Sequence, residues 1–140
     1  MRRLGQYFLK NKNAVRDILA ALKPAEHDVI IEIGGGKGAL TLPLAEACRR
    51  ASCKVITIEK DEQLAERLKS YAGAGIGQFK NLEIINGDAL KFVNSLTYKL
   101  ANWKLVGNIP YYISGKLLRI LSELNSRPLC AILMLQREVA

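Results

Sequence analysis

Histidine is almost absent from this sequence: His27 stands alone, in a polar stretch. Imidazole-based catalysis and a histidine-ligated metal therefore have little to draw on. Cysteine is sparse as well. Cys48, Cys53 and Cys130 are odd in number and lack the spacing of a zinc site, so they are expected as buried thiols in a reducing compartment, with no metal. No apolar run approaches the roughly 18 residues that a membrane span needs; the longest is Leu129 to Leu135. Arg2 and Arg3 are not followed by the hydrophobic core of a signal peptide. The expectation is a soluble, cytoplasmic protein. Acidic residues are the last scarcity: 13 against 21 lysines and arginines, for a net charge of +8. None precedes Asp17, whereas Arg2, Arg3, Lys10, Lys12 and Arg16 do. Such an imbalance suits either a polyanionic partner or a solvated basic surface.

What is present is enough for one ordinary domain: 140 residues, 49% of them hydrophobic. Val15, Ile18, Leu19 and Leu22 recur at helical spacing, and Pro24 closes that element. Beyond it, strands and helices alternate. Strands are expected before Glu32, over Lys54 to Glu59, over Leu82 to Asn86, over Trp103 to Val106, and over Leu129 to Leu135. Helices are expected from about Ala39 to Arg50, after a capping Asp61, around Ala89 to Val93, and after a capping Ser114. The last should carry a broad apolar stripe of Leu117, Leu118, Ile120, Leu121 and Leu124. Alternation of this kind predicts an α/β fold with a doubly wound, mostly parallel sheet.

The chain is organised around Asp28 to Gly38, where an apolar strand meets Glu32 and then four glycines within five residues. Glycine accepts positive φ and lets a ligand approach the backbone, so the pattern reads as strand, tight turn, helix. In such sheets ligands sit beyond the carboxyl ends of the strands. Glu32, Glu59, Asp88 and Asn108 are expected at four of those ends. A pyrophosphate gains nothing from a carboxylate at Glu32, whereas a ligand carrying an ammonium and a sulfonium is held by it. Glu59 suits a ribose diol and Asp88 an adenine amino group, although Asp88 also fits a helix cap. Gly34, Gly36 and Ala39 satisfy the dinucleotide fingerprint too, so a dehydrogenase competes at this point.

Asn108-Ile109-Pro110-Tyr111 separates methyl from hydride transfer. An amine conjugated to an aromatic ring is a weak nucleophile because its lone pair is delocalised. The Asn108 side-chain oxygen and a carbonyl at Ile109 or Pro110 could accept both amine hydrogens and turn the lone pair toward a donor. Pro110 withholds a competing N–H, and Tyr111 offers a stacking face. The plainer reading is a strand-ending turn whose aromatic anchors the next helix.

Taken together, Gly5 to Leu9, Glu32 to Thr41, Glu59-Lys60-Asp61, Gly87-Asp88-Ala89, Gly107 to Ser114 and Leu135 to Ala140 resemble, in order and spacing, the ribosomal RNA adenine N6-dimethyltransferases. The resemblance implies a Rossmann-like methyltransferase that binds S-adenosyl-L-methionine and dimethylates adenines of small-subunit ribosomal RNA, its partner being a small ribosomal subunit particle. The implied donor-binding set is Gln6, Tyr7, Leu9, Glu32, Gly34, Gly36, Gly38, Glu59, Lys60, Asp88, Ala89 and Asn108. Asn108, Ile109, Pro110 and Tyr111 would hold the target amine. Tyr7 stands where many family members have Asn or His. Members also continue through further strands into a small helical domain, so residues 1–140 are expected to be an incomplete donor-binding domain with a self-associating fifth strand. The macrolide-resistance branch, which modifies large-subunit ribosomal RNA, and non-catalytic RNA-binding or transcription-factor relatives are the alternatives.

Overall fold

The computed structural model describes residues 11–73, 78–95 and 100–136. Helix α1, Lys12–Leu22, starts at Asn11, whose side chain accepts the N–H of Asn13, and buries Val15, Ile18 and Leu22 at helical spacing. It ends where Lys23 turns left-handed. Five parallel strands follow: β1 Val29–Ile33, β2 Lys54–Glu59, β3 Leu82–Asn86, β4 Trp103–Pro110 and β5 Cys130–Gln136. Between them run α2 Thr41–Ala51, α3 Glu62–Lys69, α4 Ala89–Ser95 and α5 Tyr111–Glu123. The strand order is β3-β2-β1-β4-β5. The chain therefore winds outward from β1 in one direction, returns, and winds outward in the other, leaving a crevice between β1 and β4 at their carboxyl ends.

Alternation along the central strands divides the core. Ile30, Val55 and Val106 face α1 and α2, against Leu22, Leu40 and Leu44. Ile31, Ile58 and Leu105 face α4 and α5, against Val93, Leu117 and Leu121. Strand β5 lies at the sheet edge and leaves Leu135 half exposed. No helix among the described residues is long and apolar enough to cross a membrane.

Several local expectations are corrected. α2 begins at Thr41 rather than Ala39, because Gly38 is left-handed, with φ +91°, and the turn runs on to Leu40. β4 does not stop at Val106. It continues to Pro110 because β5 pairs with it residue by residue, from Lys104↔Cys130 to Pro110↔Gln136. Pro110, at φ −61° and ψ 141°, is both the last strand residue and the N-cap of α5, so its missing N–H falls where the ladder ends. Ser114 is consequently inside the helix and not its cap; its hydroxyl donates back to the Tyr111 carbonyl at 2.5 Å. The apolar stripe of α5 is narrower than expected, since Leu118 points outward and is 56% exposed. The sulfurs of Cys48 and Cys53 form a disulfide across the α2–β2 turn, with Cα atoms 4.7 Å apart, which leaves Cys130 as the free thiol among the three.

Candidate active site

The glycine turn does two jobs with different residues. Gly34 continues the ladder by donating to the Ile58 carbonyl at 2.8 Å, and φ then turns positive at Gly34, Gly36 and Gly38. Gly36 faces open space, with no atom of the described residues within 4 Å of where a Cβ would lie. Gly35 has the opposite surroundings: a Cβ there would come within 2.5 Å of Thr57 Cγ2 and 2.8 Å of Leu68 Cδ1. Gly36 thus leaves the turn accessible, while Gly35 lets it sit down on β2 and α3. The fingerprint reading passed over Gly35, because only the packing reveals its function.

Two buried carboxylates hold this turn. Glu59, 5% exposed, accepts the Gly36 N–H on Oε1 and the Asp61 N–H on Oε2, both at 2.8 Å. It fixes the turn, a task beyond the ribose contact expected of it, and each oxygen retains a further lone pair. Glu32 is the larger surprise. Its charge was expected beside the crevice, yet it is 2% exposed and lies beneath the turn. Its Oε1 accepts the hydroxyls of Thr41 at 2.5 Å and Thr57 at 2.8 Å. Burial pushes its pKa above the ordinary carboxylate value; the two hydroxyls oppose that shift, and the neighbouring Glu59 charge adds to it. Thr41 and Thr57 were not foreseen, since β1–β2 register sets Thr57 opposite Glu32.

Asn86 was missed as well. Its Nδ2 donates to the carbonyls of Glu59 at 2.9 Å and Lys60 at 3.1 Å, tying the end of β3 to the end of β2. Asp88 follows and caps α4, accepting the Lys91 N–H at 3.1 Å; it is exposed, as is Lys60, while Ala89 is half-buried. Gln6, Tyr7 and Leu9 lie outside the described residues. Across the crevice, Gly107 lets β4 approach β1 closely, a Cβ there falling 3.0 Å from that of Ile33. The Asn108 carbonyl oxygen lies 3.3 Å from the ideal Cβ position of Gly34. The glycine turn and Asn108 therefore share one wall. Ile109 is buried in the core, so only its backbone is available, and Tyr111 is 60% exposed at the rim.

Among the described residues, no lysine or arginine comes within ion-pair distance of Glu32, Glu59 or Asp88. The crevice is thus bordered by the backbone of the glycine turn and of Asn108, with the buried carboxylates of Glu32 and Glu59 behind it and Tyr111 exposed beyond.

This fold is the one shared by S-adenosylmethionine-dependent methyltransferases. An O-methyltransferase of that class from Thermotoga maritima superposes with a TM-score of 0.63 at 23% identity, over 82% of this chain and 40% of that one. More particularly, the sequence profile of the ribosomal RNA adenine dimethylase family matches residues 1–140, and the chain belongs to that family. It is 39% identical to ribosomal RNA small subunit methyltransferase A of Shewanella pealeana over 139 residues, covering 99% of this chain and 49% of the relative. The protein of the same name from Nitrosospira multiformis is 40% identical, with the same coverage. The chain spans about half the length of these relatives.

Proposed function

We propose that residues 1–140 form an S-adenosyl-L-methionine-binding domain that serves transfer of methyl groups to N6 of adenines in small-subunit ribosomal RNA, two in succession, on a ribosomal particle in the cytoplasm. The observation that carries this reading is the meeting of the glycine turn and Asn108 at the β1–β4 crevice.

The residues present fit such a donor. Gly36 opens the backbone to a ligand, while Glu59 has lone pairs left for ribose hydroxyls and Asp88 for an adenine amino group. Glu32 acts from below by fixing Thr41 and Thr57. When bound, the donor supplies a methyl group on a sulfonium, which is already an activated leaving group. The chain's task is alignment. The Asn108 side-chain oxygen and the carbonyl of Ile109 or Pro110 accept the two hydrogens of the target amine and aim its lone pair. Pro110 has no N–H to compete for those acceptors, and Tyr111 stacks on the base. His27 lies in the loop before β1, at the other end of the sheet, and takes no part.

Transfer of labelled methyl from S-adenosylmethionine to isolated small and large ribosomal subunits, with modified positions mapped, tests the proposal. Label on N6 of small-subunit adenines is expected. Label confined to the large subunit would move the chain to the macrolide-resistance branch, and donor binding without transfer to either would favour a non-catalytic relative. The outer edge of β5, which no strand among the described residues pairs, carries exposed Leu135 and adjoins exposed Leu129; it also offers backbone groups to a second copy, and light scattering checks for that self-association.

A further inference from the structure

Helix α5 leaves the rim of the crevice with an outer face that the chemistry above does not use. Leu117 and Leu121 bury its inner face against the sheet. On the opposite side, Tyr112, Lys116 and Arg119 stand at i, i+4 and i+7, one above the other, and all are exposed. Tyr112 is 69% exposed, more than the neighbouring Tyr111 at 60%, in a chain with only 6% aromatic residues. Gly115 lies between these side chains, and no atom of the described residues stands within 4 Å of where its Cβ would be. A flat, open patch therefore adjoins the tyrosine ring. Neither Lys116 nor Arg119 has a carboxylate within ion-pair distance among the described residues. The acidic residue of this helix, Glu123, comes at the end remote from the crevice.

We propose that this face is a second RNA subsite, which holds the nucleotides next to the target adenine. Tyr112 stacks on an adjacent base over the space left by Gly115, and Lys116 and Arg119 pair with the phosphates that follow. An aromatic ring backed by cations suits single-stranded nucleic acid, because every base presents a π-face and every linkage a negative charge. A protein partner would instead favour an apolar centre on this face, and Tyr112 has cations for neighbours there. The inference rests on the proposed function, in that Asn108 to Tyr111 must receive the target base for the next one to reach Tyr112.

Fluorescence anisotropy of the chain with a short, labelled, single-stranded adenine-containing oligoribonucleotide tests it, with donor affinity followed by calorimetry. Tyr112→Ala is expected to weaken RNA binding by roughly five- to a hundredfold, the range of single-base stacking, and Tyr112→Phe to keep most of it. The double variant Lys116→Gln, Arg119→Gln is expected to flatten the salt dependence by about 0.7 in log–log slope for each phosphate that the variant no longer neutralises. Donor affinity should be unchanged in all of them. Equal loss in Tyr112→Ala and Tyr112→Phe would overturn the stacking role, and an unaltered salt slope would overturn the pairing with phosphates. If the wild type methylates RNA and the variants match it, this face is plain surface and the proposed function stands. If the wild type binds neither donor nor RNA, both fall.

Discussion

The two ends of the sheet treat buried charge in opposite ways. At the amino end, Asp28 and Lys104 form an ion pair at 2.8 Å, with side chains 5% and 10% exposed. Lys104 also donates to the carbonyls of Leu22 and Lys23, both at 2.8 Å, and Asp28 accepts the Ala25 N–H at 2.9 Å. That end is electrostatically closed, and the lysine serves as the C-terminal cap of α1. At the carboxyl end, Glu32 and Glu59 are as deeply buried, yet hydroxyls and backbone N–H groups hold them, with no cation among the described residues. A buried anion without a counter-ion is costly unless hydrogen bonds satisfy it. Here they do. One end answers its buried charge with a counter-ion, and the other with hydrogen bonds alone.

Substitutions can break that contrast. The largest effect is expected for Lys104→Met, which strands the buried Asp28 and should cost about 3–5 kcal/mol of stability. Adding Asp28→Asn should restore most of it, and calorimetry should show unchanged donor affinity in the folded protein. If donor affinity falls as well, the two ends are not independent. Asn108→Ala comes next, with turnover lowered on the order of a hundredfold through misaligned amine, and donor affinity nearly intact. Equal losses in both quantities would make Asn108 a wall of the pocket rather than an aligning group.

At the carboxyl end, Glu59→Ala should weaken donor binding by about 1.5–3 kcal/mol, since it removes a charged acceptor and frees Gly36. Gly35→Ala sharpens the picture of the turn. Its methyl would press on Thr57 and Leu68, with an expected loss of about 1–3 kcal/mol in urea unfolding.

The smallest effect is a pH dependence. Glu32 has a folded-state pKa above the ordinary 4.5, so between that value and the raised one the folded chain keeps a proton that the unfolded chain has lost. Its contribution to stability is fully present below 4.5 and is lost as pH rises through the folded pKa. Glu32→Gln should flatten unfolding free energy against pH just above 4.5, and an unchanged curve would show that Glu32 does not titrate there.

Much of this architecture follows from the chain alone. Apolar runs of strand length, each followed by helical periodicity, imply a parallel α/β sheet, because only that arrangement buries every run. The order Glu32, glycine turn, Glu59, Asp88, Asn108 follows in turn, since strands of one parallel sheet deliver their carboxyl ends to one side. Asp61 as a helix cap is likewise local chemistry, the side chain accepting the Leu64 N–H three residues on.

Tertiary structure decided what depends on partners distant in sequence. Register placed Thr57 opposite Glu32 and turned an expected ligand-facing carboxylate into a buried brace. Pairing with β5 carried β4 through Asn108 to Pro110, where a turn was expected, and the helix after it starts at Tyr111 instead of at a capping Ser114. The approach of α2's end to β2 joined Cys48 to Cys53, and the lysine of β4 found Asp28 across the sheet. Periodicity reports which side chains are buried together; which atom each one meets depends on strand order and register, and those are settled only when the whole chain packs.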